Sequence, residues 1–338
     1  MGNAARRFNR TAVVLSLSLA ALGAAAAAAL THGATALSWP QIVQILGGDD
    51  GSAAYSIFMR VRLPRVLLGC AVGGALSVAG VILQGLFRNP LVEPYTLGIS
   101  GGAALGVCVC LALGLQHLWQ GLAISLAAFA GALLVLGILF LISAVRQMRS
   151  LNSLLLFGVM LSFICSSGVM FLMAVMRLED LQGIVFWTMG SLEQPNHVLI
   201  AAALCIAALG LAAGLWFARD LNAFSLGENA AAHLGIPVGQ VKAVLLVVAS
   251  LLTGCCVSVA GVIGFIGLTI PHLVRRVVGA DHRALVPGAF LAGAAFLIGC
   301  DTLARTLIAP LELPVGVLTG LIGGFVFLSV LCRRQEAR

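Results

Sequence analysis

The chain has 338 residues, of which 61% are hydrophobic and only 9% charged. A soluble domain carries roughly 25% charged residues, so this composition excludes a protein with an ordinary hydrated surface. The net charge of +7 would suggest nucleic acid in a soluble protein. Here the cations fall between apolar runs, so membrane topology accounts for them and no nucleic-acid partner is expected.

In lipid, backbone polar groups must pair within their own element, which leaves helices or closed barrels. The apolar runs approach the ~20 residues a spanning helix needs and lack the alternation of barrel strands. The expected fold class is therefore an all-α polytopic membrane protein.

Arg6, Arg7 and Arg10 precede the apolar stretch Thr11 to Leu30, and Ala34-Thr35-Ala36 resembles a cleavage site. The stretch exceeds the ~7–15 residues of a signal-peptide core and reads as an uncleaved first span. Ten spans are predicted: 11–33, 64–86, 95–115, 120–143, 152–176, 196–218, 241–262, 263–278, 286–308 and 313–332. The eighth is short, starts in a Gly-rich stretch and contains Pro271, so it is expected to be partly broken. Residues 1–338 read as one transmembrane domain, with 219–242 as its one sizeable polar loop.

Cations favour the cytoplasmic side. With the N-terminus inside and ten crossings, only Arg60, Arg62, Arg65, Arg177 and Arg305 of the 19 Lys and Arg fall outside. Both termini are thus expected in the cytoplasm, with loop 219–242 beside them.

Ser77-Val78-Ala79-Gly80-Val81-Ile82 recurs as Ser258-Val259-Ala260-Gly261-Val262-Ile263, and at the same offset Pro90 falls on Pro271. The copies lie in the second and seventh spans, which cross in opposite directions. That pattern points to two inverted-topology halves, a transporter signature. Gly98, Gly102 and Gly106, and Gly316, Gly320 and Gly324, recur every four residues, a spacing that lets helix backbones approach closely.

Three motifs are candidates for function. Arg60-Val61-Arg62-Leu63-Pro64-Arg65 opens the second span on the outer side. Its arginines read either as interfacial anchors or as a docking site for carboxylates of an external partner. Arg305, four residues after Asp301 on one helix face, can pair with it and joins the same outer set, with Glu312 in the next loop. In the loop, Ser225-Leu226-Gly227-Glu228 fits a capping box. A helix of about ten residues would follow and end at Gly235 before Pro237, either as a plain surface helix or as one that enters a groove on a partner. The third motif, Gly264 to His272 followed by Arg275, reaches the cytoplasmic face, and His272 is given no catalytic role.

No catalytic, cofactor or metal residues are assigned. The only lysine, Lys242, follows Val241, so no Gly-Lys-Ser/Thr phosphate loop exists. The nine cysteines form no paired framework and read as small buried hydrophobes.

Several stretches together resemble the FecCD-like or BtuC-like permeases of ABC importers for iron–siderophores, haem and cobalamin. They are Arg62-Leu63-Pro64-Arg65, Gln84 to Leu91, Leu97 to Ala103, Gly227 to Ala231, Gly264 to Leu268 with Pro271-His272 and Arg275, and Glu312 to Gly316. The resemblance implies ten spans in an inner-membrane protein and a homodimer with the path on its axis. It also implies a separate cytoplasmic ABC ATPase dimer docking on Ser225, Gly227, Glu228, Asn229, Ala230, His233 and Gly235. An extracytoplasmic binding protein is expected to dock on Arg62, Arg65 and Arg305. A metal chelate is the expected cargo, an iron–siderophore first, with haem, cobalamin and oxyanions behind it. The competing reading is an ion-coupled secondary transporter, which needs buried acidic or His groups; only Asp301 lies within a confident span. An intramembrane enzyme would need paired catalytic groups inside spans, and none are apparent.

Overall fold

A computed structural model describes residues 2–33, 35–48, 51–116, 118, 122–145 and 151–336. Arg146, Arg149 and Arg338, counted above as inner cations, and Ala34 lie outside the described residues. In chain order the helices are α1 (Gly2–Thr31), α2 (Trp39–Leu46) and α3 (Ala53–Ile57), then a π turn, Phe58–Arg62, leading into α4 (Leu63–Phe87). A 3₁₀ turn, Pro94–Leu97, precedes α5 (Ile99–Ala112); α6 (Leu122–Val145), α7 (Leu151–Val175), α8 (Leu178–Met189) and α9 (His197–Trp216) follow. The polar loop contains α10 (Ala218–Ser225) and α11 (Glu228–His233). The last four are α12 (Val238–Ala260), α13 (Ile266–Val278), α14 (His282–Thr306) and α15 (Val315–Glu336). No strand occurs among the described residues.

Among the described residues, seven helices are long and apolar enough to cross a membrane, and α5 and α15 contribute shorter apolar stretches. The protein is a multi-pass, all-α membrane protein. One end of the bundle, the arginine end, holds Arg62, Arg65 and Arg305, and the other, the loop end, holds residues 219–242.

Helix α4 is apolar on every face and buried along nearly its whole length, as a helix surrounded by others must be. Without a hydrophobic drive between helices in lipid, close backbone approach through small residues does the packing. A Cβ on Gly73 would meet the Gly293 carbonyl of α14, and one on Gly80 would meet the Gly267 carbonyl of α13. Gly98, Gly102 and Gly106 meet the carbonyls of Gly158, Gly131 and Ala127 on α7 and α6. Of the second trio, Gly316 meets the carbonyls of Met189 and Val262, and Gly324 touches the Phe265 ring. Gly320 has nothing within 4 Å of a Cβ position; within this chain it is not a packing glycine, which corrects the periodic reading.

Several expectations are revised. The third predicted span, 95–115, is a 3₁₀ turn plus a helix of 14 residues. The connection after residue 176 contains α8. The repeated hexapeptide runs in opposite directions in α4 and α12, but its conformation differs. Ser77–Ile82 is continuous helix, whereas in the second copy the helix stops at Ala260 and Gly261 takes φ 69. Tertiary packing overrides local propensity here. A Cβ at Gly261 would overlap the Trp187 carbonyl, and the Ser191 N–H takes the Ala260 carbonyl at 2.9 Å. Pro90 lies in a turn, while its counterpart Pro271 lies inside α13.

Candidate functional sites at the two ends of the bundle

At the arginine end, the last four carbonyls of α1 would be orphaned by helix geometry. Each finds a donor. His32 N–H takes Ala28 (2.8 Å), Arg305 Nη2 takes Ala29 (3.4 Å), Arg62 Nη1 takes Leu30 (2.5 Å) and Leu37 N–H takes Thr31 (3.0 Å). Arg62 Nη2 also donates to the Thr35 carbonyl. Two guanidinium groups therefore sit at the negative end of the α1 dipole, where cations are favoured.

Arg305 Nε bonds Asp301 Oδ2 at 3.0 Å, one turn back on α14, as the spacing suggested. Arg65 Nη2 bridges Glu312 (2.8 Å) and Glu193 (3.4 Å), which lie just before α15 and just after α8. Arg62, Arg65 and Arg305 are only 2%, 6% and 5% exposed. The sequence suggested a free docking surface; in this chain all three side chains are buried and turned inward. The reason is physical: a buried cation must be paired, and the α1 terminus and three carboxylates supply the partners. Accessible charge at this end includes Arg60 and the carboxylates of Glu193 and Glu312, whose side chains are 75% and 47% exposed.

At the loop end the capping box does not form. Ser225 is the last residue of α10, and its hydroxyl donates back to the Asn222 carbonyl at 2.5 Å. Gly227, at φ 117, precedes α11 instead, a conformation that suits glycine. Glu228 then begins α11, its charge favourable at the N-terminus, and accepts from Lys242 Nζ at 2.9 Å. The helix spans six residues rather than ten, because Leu226 and Gly227 stay outside it at its start and Leu234 caps it at its end. Gly235, at φ 84, ends it as expected, with its N–H on the Ala232 carbonyl at 2.9 Å. Asn229 and His233 are exposed, and so are Leu226 (72%) and Leu234 (65%) on either side of Ala230.

Sequence reasoning missed what fastens this loop to the bundle. Asn222 Nδ2 donates to Asp281 Oδ1 at 2.8 Å. Its Oδ1 accepts the His282 N–H at 2.9 Å and lies 2.8 Å from His282 Nδ1. Asp281 also caps α14 through the Arg283 N–H at 3.1 Å. Burial pushes the Asp281 carboxyl up. The bonds from Asn222 and Arg283, with the charges of Arg283 and His282, nevertheless leave it below its ordinary value. An Asn and an Asp some sixty residues apart carry no local pattern that would have paired them.

A many-helix membrane bundle with a short exposed helix, α11, at one end has the architecture of a membrane transport subunit. A profile of the FecCD transport family matches residues 19–333, and the chain belongs to that family. It is 42% identical over 330 residues to the hemin transport system permease protein HmuU of Yersinia pestis, covering 96% of both chains. It is 39% identical over 300 residues to the vitamin B12 import system permease protein BtuC of Citrobacter koseri, covering 86% of this chain and 88% of that one. A solved structure described as an inward-facing conformation of a metal-chelate type ABC transporter superposes with a TM-score of 0.84 at 33% identity, covering 95% and 99% of the two chains. The chain is an ABC importer permease.

Proposed function

We propose that the chain is the membrane subunit that carries a metal chelate into the cytoplasm by alternating access, powered by a separate ABC ATPase. The observation that carries this reading is the exposed α11 with Leu226 and Leu234 beside it: apolar side chains at the hydrophilic end of a membrane bundle favour a protein partner. In this reading the loop end faces the cytosol in the inner membrane, with both termini beside it. The ATPase dimer grips Gly227 to Gly235, and a second copy of the chain completes the path. The extracytoplasmic binding protein docks at the arginine end, where it meets Arg60, Glu193 and Glu312 first. It reaches Arg65 only by displacing the two carboxylates that hold it.

The sequence put an iron–siderophore first. Of the alternatives named with it, haem and cobalamin have support from the relatives, since hemin and vitamin B12 are both metal-centred tetrapyrrole macrocycles. In liposomes containing the chain with its ATPase and binding protein, ATP is expected to drive hemin uptake faster than uptake of vitamin B12 or a ferric siderophore. Uptake driven by an ion gradient without ATP would instead restore the secondary-transporter reading.

A further inference from the structure

Helix α4 ends where Arg88 adopts φ 50, and Asn89 Oδ1 accepts the Leu91 N–H at 2.9 Å to close a turn. The chain then re-enters the bundle. Gly98 packs against the Gly158 carbonyl, seven residues and thus about 10 Å up α7 from its loop end. At the tip of this excursion Glu93 Oε1 accepts the Phe265 N–H at 2.7 Å. Beside it the Tyr95 hydroxyl donates to the Ile263 carbonyl at 3.0 Å and accepts the Ile263 N–H at 3.2 Å. All three bonds fall on the non-helical stretch between α12 and α13.

That stretch is strained and deep. Phe265 has φ 69, a region unfavourable for a residue with a side chain. It lies against Gly323, eight residues and thus about 12 Å down α15 from the arginine end. Open backbone at such depth persists only where protein or a water-filled cavity satisfies it, and Glu93 and Tyr95 provide that satisfaction. The other end of the same segment meets the loop: Arg88 Nη1 lies 3.6 Å from the Cβ position of Gly227.

We infer that residues 88–95 are a strap that carries displacement of the 225–235 segment to the helix break at 261–265, with Glu93 and Tyr95 as positioning residues. This inference rests on the importer reading above. A carboxylate within the bilayer is costly, and here it accepts the first free N–H of the α13 half-helix, where negative charge is favoured. Arg88 at the loop and Glu93 at the break are five residues apart, so movement of one pulls on the other.

The test uses the full chain reconstituted with its ATPase and binding protein. The main readout is the stimulation of ATP hydrolysis by the binding protein, which needs no cargo; hemin taken up per ATP hydrolysed is read in parallel. Glu93→Ala and Tyr95→Phe are expected to keep the ATPase bound and its basal hydrolysis intact. Stimulation should fall about two- to thirtyfold, the range for mutations along a coupling path. Glu93→Gln, which retains an acceptor oxygen for the Phe265 N–H, is expected to keep most of it. Unchanged stimulation in Glu93→Ala overturns the strap while leaving the importer reading intact. Should that variant fail to assemble, unchanged stimulation in Tyr95→Phe, which loses a single oxygen, overturns it equally. A wild-type chain that binds no ATPase would sink the importer reading and the strap together.

Discussion

Arg305→Ala is expected to lower the stability of the detergent-solubilised chain by about 3–5 kcal/mol, the usual cost of breaking a buried ion pair by removing one partner. Asp301 and Arg305 are both buried and bonded at 3.0 Å. The variant leaves the carboxylate without its counter-ion and also removes the donor to the Ala29 carbonyl. Arg305→Lys should rescue little, because one ammonium cannot reproduce the fork that serves Asp301 and α1 together. Asp301→Ala/Arg305→Ala should be more stable than Arg305→Ala alone, since no uncompensated charge remains. Thermal unfolding of the three variants checks this. A loss in Arg305→Ala below about 1 kcal/mol would place the pair among surface bridges and contradict its burial.

The second large effect is expected at Asn222. Asn222→Ala strips the His282 N–H and Nδ1 of their partner at once, and His282 is only 2% exposed. Unsatisfied buried groups cost about 1–3 kcal/mol each. Asn222→Asp should be worse than alanine. It cannot donate to Asp281, and it puts a second carboxylate where an amide stood 2.8 Å from the first. Because this amide ties α10 to the start of α14, hemin uptake per ATP should fall along with the melting temperature. A variant with lowered melting temperature and full uptake would make Asn222 a fastening only.

The all-helical bundle was readable from apolar run length, because that length is set by the bilayer rather than by tertiary detail. Most of the corresponding helices begin and end within a few residues of the predicted apolar segments. The break before α13 was signalled by its Gly-rich start. What stayed hidden depends on contacts distant in sequence. The arginines at 62 and 305 looked like surface groups because nothing local reveals that α1 ends between them. Ser225 and Glu228 have the capping-box spacing, but Gly227 at φ 117 separates two short helices instead. The identical hexapeptides fold differently because Gly261, unlike Gly80, lies against the Trp187 carbonyl. Glu93 falls between the predicted spans 64–86 and 95–115, and its partner, the Phe265 N–H, is distant in sequence. Its one sequence signal is an acid enclosed by Pro90 and Pro94 between two apolar runs, a stretch too constrained for an ordinary surface turn.

An ATPase can grip the 225–235 segment only if that segment faces the cytosol. A membrane-impermeant thiol reagent applied to Ala230→Cys and Glu312→Cys, in a chain whose nine native cysteines are replaced, decides this. Residue 230 is expected to react only in inverted vesicles, with protection by the bound ATPase, and residue 312 only in intact cells. Labelling of residue 230 from the outside would leave the ATPase nothing to grip and would contradict the importer mechanism.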